Sequence, residues 1–325
     1  MTTAVDAGRI RDVEVAALAW ISAHRGDFVL DDDAFTVEGA VDLTWKPLGE
    51  LAQTCVSVGR RTPPSDPLHA CVRGLLAFAW RQTGQGELFL RLQRLEPFAT
   101  YPLEVYSVFA GAGYRHAGYE AAAATVARTR GWRLTEQEPT RRLGLLNAER
   151  RSGIHRPEPA EQALGRTWLG GLPEPWAFER TAGYALTHVV FHLTDWGRTA
   201  EGVPDDLAAY LSQWLPPWLD TCLDAGMWDL CCELLIVAAS LPSPPDTAML
   251  QDAWTRLAHA QLDSGAIPLN APDTADGPDE GFVHCYHSTL MAAFAAALSV
   301  DHLTRGSEAR AQDPQNRYGG QGVPG

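Results

Sequence analysis

The pattern of hydrophobic and polar positions along the chain is helical almost from end to end. Apolar residues recur every three or four positions in successive segments, whereas alternating β-branched runs are scarce, with one short candidate strand at residues 27–30. This periodicity predicts an all-α protein with a leading helix and twelve more. The predicted helices cover residues 8–24, 44–60, 67–82, 86–95, 101–116, 118–131, 137–153, 158–170, 180–196, 205–225, 227–241, 245–263 and 284–303.

Proline and glycine residues separate these helices and keep the connections short. A turn-rich run ends at Pro67, and Gly131, Gly153 and Pro204 stand where one helix must stop and another begin. Short connections favour antiparallel neighbours, so successive helices are expected to pair as hairpins. Because no linker-like stretch interrupts the pattern, we expect one domain over residues 1–305. The polar tail at residues 306–325 is predicted to be disordered.

Alternate helices differ in how much of their surface is apolar. Segments 67–82, 227–241 and 284–303 are apolar nearly all round, whereas others carry arginine and glutamate on one face. Polar residues recur near the starts of the expected inner helices, with a hairpin period of about 35 to 45 residues. These residues are His69, Glu104, His188, Asp229 and His287. The pattern indicates an (α/α)6 toroid of about six helical hairpins plus an N-terminal helix, in which inner helices line a central cavity.

Composition and charge restrict the classes of partner. With 46% hydrophobic residues among 325, the chain can bury a large core. Its net charge of −14 argues against nucleic acid and anionic membranes, because both are bound through lysine and arginine. Six cysteines without an N-terminal signal pattern, and no apolar run of the roughly 20 residues that span a bilayer, indicate a reduced cytoplasmic protein. We expect a small-molecule or peptide substrate, and the oligomeric state is left open.

One hairpin near the C-terminus carries a pair of motifs. The segments QLDSGAIP at 261–268 and HCYHSTL at 284–290 resemble the "Q-x-x-D-G-x-x-P … Y-H-T-T" hairpin of six-hairpin toroids. That group includes class II terpene cyclases, prenyltransferase β subunits and lanthionine cyclases, and segment 187–197 is similar to one in uncharacterised actinobacterial proteins. The resemblance implies the toroid fold. Terpene-cyclase activity is not carried over, since no D-x-D-D motif is present and the run 31–33 is followed by Ala34. Lanthionine-cyclase activity is not carried over either, since its cysteine and Cys-His elements are matched at most by residues 284–287.

Two histidines four residues apart form a candidate metal site. His188 and His192 share one face of a predicted helix, with Asp195 about one turn further along. Imidazole and carboxylate ligands suit zinc or another divalent first-row ion, and His287 or His284 could complete the coordination. We therefore predict metal binding by His188, His192 and His287. The alternative is that these are core histidines with satisfied hydrogen bonds, followed by a segment that ends the helix.

A second candidate group holds the acid–base residues. Asp229 and Glu233 open one helix four residues apart, as a general acid and base would, although carboxylates at a helix start are also favoured by the helix dipole. His284 and Cys285 lie at the start of a later inner helix, where the dipole lowers the pKa of a thiol. Packing in the apolar core is the competing role for Cys285.

Two functions follow from these residues. The first is a small-molecule enzyme of specialised metabolism, a cyclase, lyase or isomerase that uses the cavity and its histidine–carboxylate cluster, either with a divalent metal or without one. The second is a non-catalytic scaffold that binds a peptide or another ligand. The sequence contains no glycine-rich phosphate loop, dinucleotide fingerprint or Gly-x-Ser-x-Gly elbow, which argues against nucleotide, flavin and serine-hydrolase chemistry.

Overall fold

The computed structural model describes residues 6–30, 34, 44–154, 160–243, 247–272 and 280–312, the last seven as backbone only. Within this part of the chain all regular secondary structure is helical, which confirms the all-α class. The α-helices are α1 (Ala7–Ala23), α2 (Trp45–Gly59), α3 (Pro67–Gln82), α4 (Glu87–Leu95), α5 (Tyr101–Gly111), α6 (Ala117–Val126), α7 (Arg130–Leu134), α8 (Pro139–Arg151), α9 (Ala160–Leu164), α10 (Arg180–Leu193), α11 (Asp205–Asp224), α12 (Trp228–Ser240), α13 (Thr247–Ala260) and α14 (Phe282–Gln312).

Local capping explains where several helices begin and end. The carboxylate of Asp66 accepts a hydrogen bond from the Leu68 amide at 2.9 Å, and Pro67 occupies the first turn, where its missing N–H has no cost. Gly113 and Gly153 follow α5 and α8 with φ of 90° and 75°, a left-handed conformation that glycine adopts without steric strain. These boundaries are therefore set by short-range interactions.

Six helices form a closed ring. In chain order α2, α5, α8, α10, α12 and α14 each contact the next, and α14 contacts α2 to complete the circle. The other helices pack outside this ring, with α3 on α2, α4 on α5, α9 on α8, α11 on α12, and α1 on α14. The described residues therefore form the predicted (α/α)6 toroid, with α1 as the additional N-terminal helix.

The ring helices run in the same direction, so their N-terminal ends meet on one side. On that side Glu104 of α5 lies 3.3 Å from Arg141 of α8, and Asp229 of α12 lies 2.6 Å from His287 of α14. We call this side the mouth. At the far end, Arg151 of α8 donates a 2.8 Å hydrogen bond to Gln53 of α2, which ties two non-adjacent ring helices together.

Helix α14 is the longest member of the ring and contains a long apolar segment. Its segment Phe282–Arg305 is long and apolar enough to cross a membrane, which the sequence pattern did not predict, but 72% of its apolar window is buried within the protein. A central helix with neighbours on every side has this character. Phe294 lies at its middle, fully buried, with its ring 6.4 Å from Phe191 and 6.0 Å from Trp196.

Several sequence predictions need correction. Residues 25–28 form a 3-10 turn, so the candidate strand at 27–30 is wrong. Helix α3, which carries His69, lies in the outer layer, and α2 is the ring helix of that hairpin. The predicted helix at 158–170 is reduced to α9, and α10 ends at Leu193. Helix α14 continues to Gln312, past the predicted boundary at residue 305, and residues 313–325 of the predicted tail lie outside the described residues.

The Phe294→Ala substitution tests how far the ring depends on α14. We expect it to lower the free energy of unfolding by about 3 to 5 kcal/mol, because it removes a fully buried ring that no neighbour can replace. Urea denaturation followed by circular dichroism measures this change. The matched control is Val283→Ala, which shortens a side chain on the same helix that is 63% exposed and should change the free energy by less than about 0.5 kcal/mol.

Candidate functional site

Polar side chains from all six ring helices lie at the mouth. All but His188, which lies in the third turn of α10, sit in the first two turns of their helices, so the common direction of the ring helices brings them together although they are far apart in sequence. They are Lys46 and Glu50 from α2, Glu104 from α5, Arg141 from α8, Tyr184 and His188 from α10, Asp229 and Glu233 from α12, and His287 from α14. This is the convergence that the sequence pattern predicted for the inner helices.

His287 lies at the centre of this group. Its Nδ1 donates a 2.6 Å hydrogen bond to Asp229 Oδ1, and its Nε2 lies 3.5 Å from Glu50 Oε1 and 3.7 Å from Glu233 Oε1. Tyr184 in turn donates a 2.7 Å hydrogen bond to Asp229 Oδ2. One imidazole therefore faces three carboxyl groups from two other helices.

The charges of His287 and Asp229 follow from this contact. Burial alone would lower the pKa of His287, but Asp229, Glu50 and Glu233 outweigh it and raise that pKa to about 10. Burial would likewise raise the pKa of Asp229, yet His287 and the hydrogen bonds from His287 and Tyr184 hold it below its usual value. At neutral pH the pair is an imidazolium bound to a carboxylate.

Glu233 differs from Asp229 in its protonation state. Its side chain is buried, and this burial, together with the nearby Asp229, raises its pKa to about 8 even though His287 opposes the shift. Thr187 donates a hydrogen bond to Glu233 Oε2, whereas Oε1 has no hydrogen-bond partner. The carboxyl group therefore holds a proton at neutral pH, and one of its oxygens is left for a further interaction.

His188 connects Glu233 with solvent. Its Nε2 lies 3.9 Å from Glu233 Oε1, and its side chain is 48% exposed. The surrounding protein nevertheless desolvates the ring, and with the positive charges of His287 and Lys46 it lowers the pKa of His188 to about 4. The ring therefore lies at the mouth with protein around it and one part of its surface open to water. His188 is uncharged at neutral pH.

The predicted metal ligands do not converge as a set. Among the described residues, the ligand atoms that lie within 4.8 Å of one another belong to Asp229, Glu233 and His287. His192 lies deeper, with its ring centre 6.4 Å from that of His188 and its Nε2 next to Gly144 of α8, where an added Cβ would be 2.9 Å away. Burial lowers the pKa of His192 to about 3, as expected for a neutral imidazole packed inside the protein.

Two predicted catalytic residues, Cys285 and His284, lie outside the cluster that His287 forms with the carboxyl groups of α2 and α12. Cys285 is fully buried among the apolar core residues, and its backbone carbonyl accepts hydrogen bonds from Ser288 and Thr289. His284 is exposed, and its carbonyl accepts from the Leu269 amide at 2.9 Å. In the HCYH segment, His287 faces the carboxyl groups of α2 and α12, and Tyr286 forms a side-chain hydrogen bond with Glu50 of α2. The acidic run at 31–33 lies outside the described residues.

Asp195 belongs to the far end of the ring. Helix α10 stops before it, and Asp195 has φ of 51°, so its side chain does not continue the face of His188 and His192. It is buried and accepts a 2.5 Å hydrogen bond from Arg151 Nε. The arginines beside it hold its pKa below the usual range although burial opposes this. Asp195 thus joins α8 to the end of α10.

Sequence analysis missed Glu50, Lys46, Tyr184 and Thr187. Lys46 and Glu50 are four residues apart at the start of α2, the same spacing as Asp229 and Glu233 on α12, so this spacing was an available signal. The apolar character of segment 67–82 indicates, wrongly, that α3 rather than α2 is the inner helix of that hairpin, so the pattern does not select Lys46 and Glu50. Tyr184 and Thr187 become relevant only through hydrogen bonds to residues about 45 positions away.

Cavity volume does not identify this site. A cavity of about 500 Å³ lies between α2, α3 and the end of α5, with Cys55, Arg60 and His69 among its lining residues. Its lining contains no carboxyl group. The mouth is distinguished by its chemistry, since paired groups with opposed protonation states mark functional sites more specifically than volume does.

One family model matches most of the chain. Residues 14–297 match the family described as a domain of unknown function, DUF6895, a match that extends from α1 to α14. No curated protein and no solved structure matches the chain.

The pH dependence of stability tests the protonation of Glu233 and His287. Both groups have a higher pKa in the folded protein, so the stability linked to their protons is fully present below 4.5 and 6.5, their ordinary values, and is lost as pH rises toward about 8 and 10. We expect the free energy of unfolding, measured with urea in the presence of a chelator, to fall between pH 7 and 9. The neutral variant Glu233→Gln should fall less steeply. If the exposed substitution Glu201→Gln flattens the curve equally, the assignment to Glu233 is wrong.

The Asp195→Ala substitution tests the structural role of the far end. It leaves the buried guanidinium of Arg151 without its carboxylate, and we expect a loss of about 3 to 5 kcal/mol in the free energy of unfolding. The His188→Ala substitution truncates a half-exposed side chain on α10, the helix that precedes Asp195, and should lower the free energy of unfolding much less. Equal losses in the two variants would contradict this division between the ends of the ring.

Proposed function

This chain belongs to the DUF6895 family, and we propose that it is an enzyme of the lyase, cyclase or isomerase class that transfers protons to and from a small molecule at the mouth of its helical ring. His188 is the residue that contacts the substrate. Glu233 lies behind it as the source of the proton, and His287 with Asp229 sets the charge around both.

A single observation supports this proposal most strongly. A half-exposed, uncharged imidazole at the mouth lies next to a buried, protonated carboxyl group whose Oε1 accepts no hydrogen bond. Residues whose environments push their pKa values in opposite directions are the usual acid–base pairs of enzymes. The 3.9 Å separation of Glu233 Oε1 and His188 Nε2 is long for a hydrogen bond, but catalytic contacts often shorten only when substrate binds.

In the proposed reaction the protein donates a proton to one atom of the substrate and later accepts a proton from another atom of it. The Glu233 carboxyl gives its proton to His188 Nε2, while Nδ1 of the same ring gives a proton to one substrate atom. After the substrate rearranges, closes a ring or loses a group, a proton from another substrate atom returns to His188 and then to Glu233. Because the proton is returned and neither an oxidant nor a second reactant takes part, the proposed reaction is an isomerisation, a cyclisation or an elimination.

His287 stabilises the state in which Glu233 has lost its proton. Its imidazolium Nε2 lies 3.7 Å from Glu233 Oε1, in a buried site where a nearby charge is weakly screened. Asp229 keeps the imidazolium in place through the 2.6 Å bond to Nδ1, and Tyr184 orients Asp229. These residues position and tune the pair without touching the substrate.

A divalent metal such as zinc remains the alternative form of this proposal. It would use Asp229, Glu233 and His287, the atoms that converge within 4.8 Å. The metal-free form is favoured because Asp229 Oδ1 and His287 Nδ1 are already joined through a proton at 2.6 Å, and Thr187 and Tyr184 occupy the outer carboxylate oxygens. An ion would have to separate these pairs to coordinate all three residues.

Product profiling tests the catalytic proposal. A strain that lacks the gene is complemented with wild-type protein or with His188→Ala or Glu233→Gln, and extracts are compared by mass spectrometry. We expect wild type to restore the missing product and each variant to reduce its rate of formation by about 10²- to 10⁴-fold, the usual contribution of acid–base catalysis. Arg94→Gln, an exposed change on the outer helix α4, is the matched control and should restore the product.

Two other outcomes have definite meanings. If both variants restore the product as wild type does, the protein is a non-catalytic scaffold for a peptide or small ligand. Elemental analysis of untagged protein decides the role of a metal. A stoichiometric ion that is lost in His287→Ala would replace the metal-free form by the metal-assisted one.

A further inference from the structure

Three ring helices begin with a cation at the mouth. Lys46, Arg141 and Arg180 each lie in the first turn of α2, α8 and α10, and none of these first turns contains an acidic residue. The positive end of a helix dipole favours carboxylates and disfavours cations by about 0.3 to 1 kcal/mol each. In a chain with 40 acidic and 26 basic residues, this placement opposes both local preference and overall composition. Such departures are expected where function requires them.

Lys46 is the least constrained of these cations. It is the only lysine in the chain, its side chain is exposed, and it forms no ion pair with the described residues. By contrast Arg141 lies 2.7 Å from Glu136 and 3.3 Å from Glu104, and Arg180 lies over the ring of Tyr184 at 6.0 Å. Lys46 is therefore available to a charged group from outside the chain.

The cations lie above the acid–base residues. On α2, Lys46 precedes Glu50 by one turn, and on α10, Arg180 precedes His188 by two turns. On each helix the cation therefore lies at the edge of the mouth, and the acid–base residue lies further inside. Lys46, Arg141 and His287 all place positive potential on the His188 ring, where only Asp229 opposes them among the main contributors. An anion at this level would be attracted, although the whole chain carries a net charge of −14.

A second feature points to a ligand at the same place. Glu233 is almost completely buried, yet its Oε1 has no hydrogen-bond partner and faces the half-exposed His188. Other buried polar atoms of this protein also lack partners, but Glu233 Oε1 lies beside the half-exposed His188 ring, where a group that arrives from solvent can reach it.

We propose that the substrate carries a carboxylate or phosphate group, which binds at the mouth through Lys46 while the reacting part of the molecule lies deeper, against His188. This substrate class rests on the proposed proton-transfer function. Arg141 and Arg180 add to the positive potential at the edge, and Lys46 supplies the direct charge-assisted hydrogen bond.

Anion titration followed by nuclear magnetic resonance tests the proposal without a known substrate. The His188 ring proton is observed in histidine-labelled protein and assigned by its loss in His188→Ala. Inorganic phosphate and acetate are titrated separately at fixed ionic strength. We expect a saturable shift with at least one of them, and the more effective anion identifies the group. Lys46→Gln should weaken this binding about tenfold, the loss of one charge-assisted hydrogen bond, whereas Lys46→Arg should retain it.

The experiment has one control variant and two results that would contradict the proposal. Arg94→Gln removes one exposed positive charge from the outer helix α4 and should leave anion binding unchanged. No saturable shift with either anion, or equal affinity in wild type and Lys46→Gln, would overturn the proposal. Glu233→Gln should still bind the anion while it fails to restore the product, so a failure of anion binding and a failure of proton transfer are observed separately.

Discussion

The contact between His287 and Asp229 is the interaction on which the mouth depends. It joins α14 to α12 by a 2.6 Å hydrogen bond between opposite charges, and the same imidazolium reaches Glu50 of α2. Without that positive charge, three carboxyl groups from two helices would lie in a buried space with little to offset their repulsion. Tyr184 of α10 holds the far side of Asp229, so four of the six ring helices are tied through one pair.

The protonation of Glu233 and the neutrality of His188 both follow from this arrangement. Asp229 is bound to His287 and keeps its charge, so burial next to that charge raises the pKa of Glu233, and burial raises the pKa of Glu50 as well. The same imidazolium, together with Lys46 and desolvation, disfavours a proton on His188. Burial is the main cause of both protonation states, and the charged pair adds to it through Asp229 for Glu233 and through His287 for His188.

The two ends of the ring serve different purposes. At the far end, Arg151 joins Asp195 and Gln53 in a buried network whose polar groups mostly satisfy one another, and this network holds the helix ends together. At the mouth, Glu233 keeps an oxygen without a partner and His188 remains open to solvent. The far end therefore joins the helix ends by buried ion pairing, whereas the mouth holds polar groups that a ligand from solvent can reach.

The sequence by itself determined the helices and their order, since periodicity and caps such as Asp66-Pro67 act over a few residues. It also placed Asp229, Glu233, His188 and His287 near helix starts. It did not determine that α2 rather than α3 faces the cavity, nor that Asp195 pairs with Arg151 instead of extending the histidine face. Those choices, and with them Glu50, Lys46 and the protonation of Glu233, depend on which helix faces meet across the ring. Burial and charge at that distance exist only after the chain has closed, so only the tertiary structure decided them.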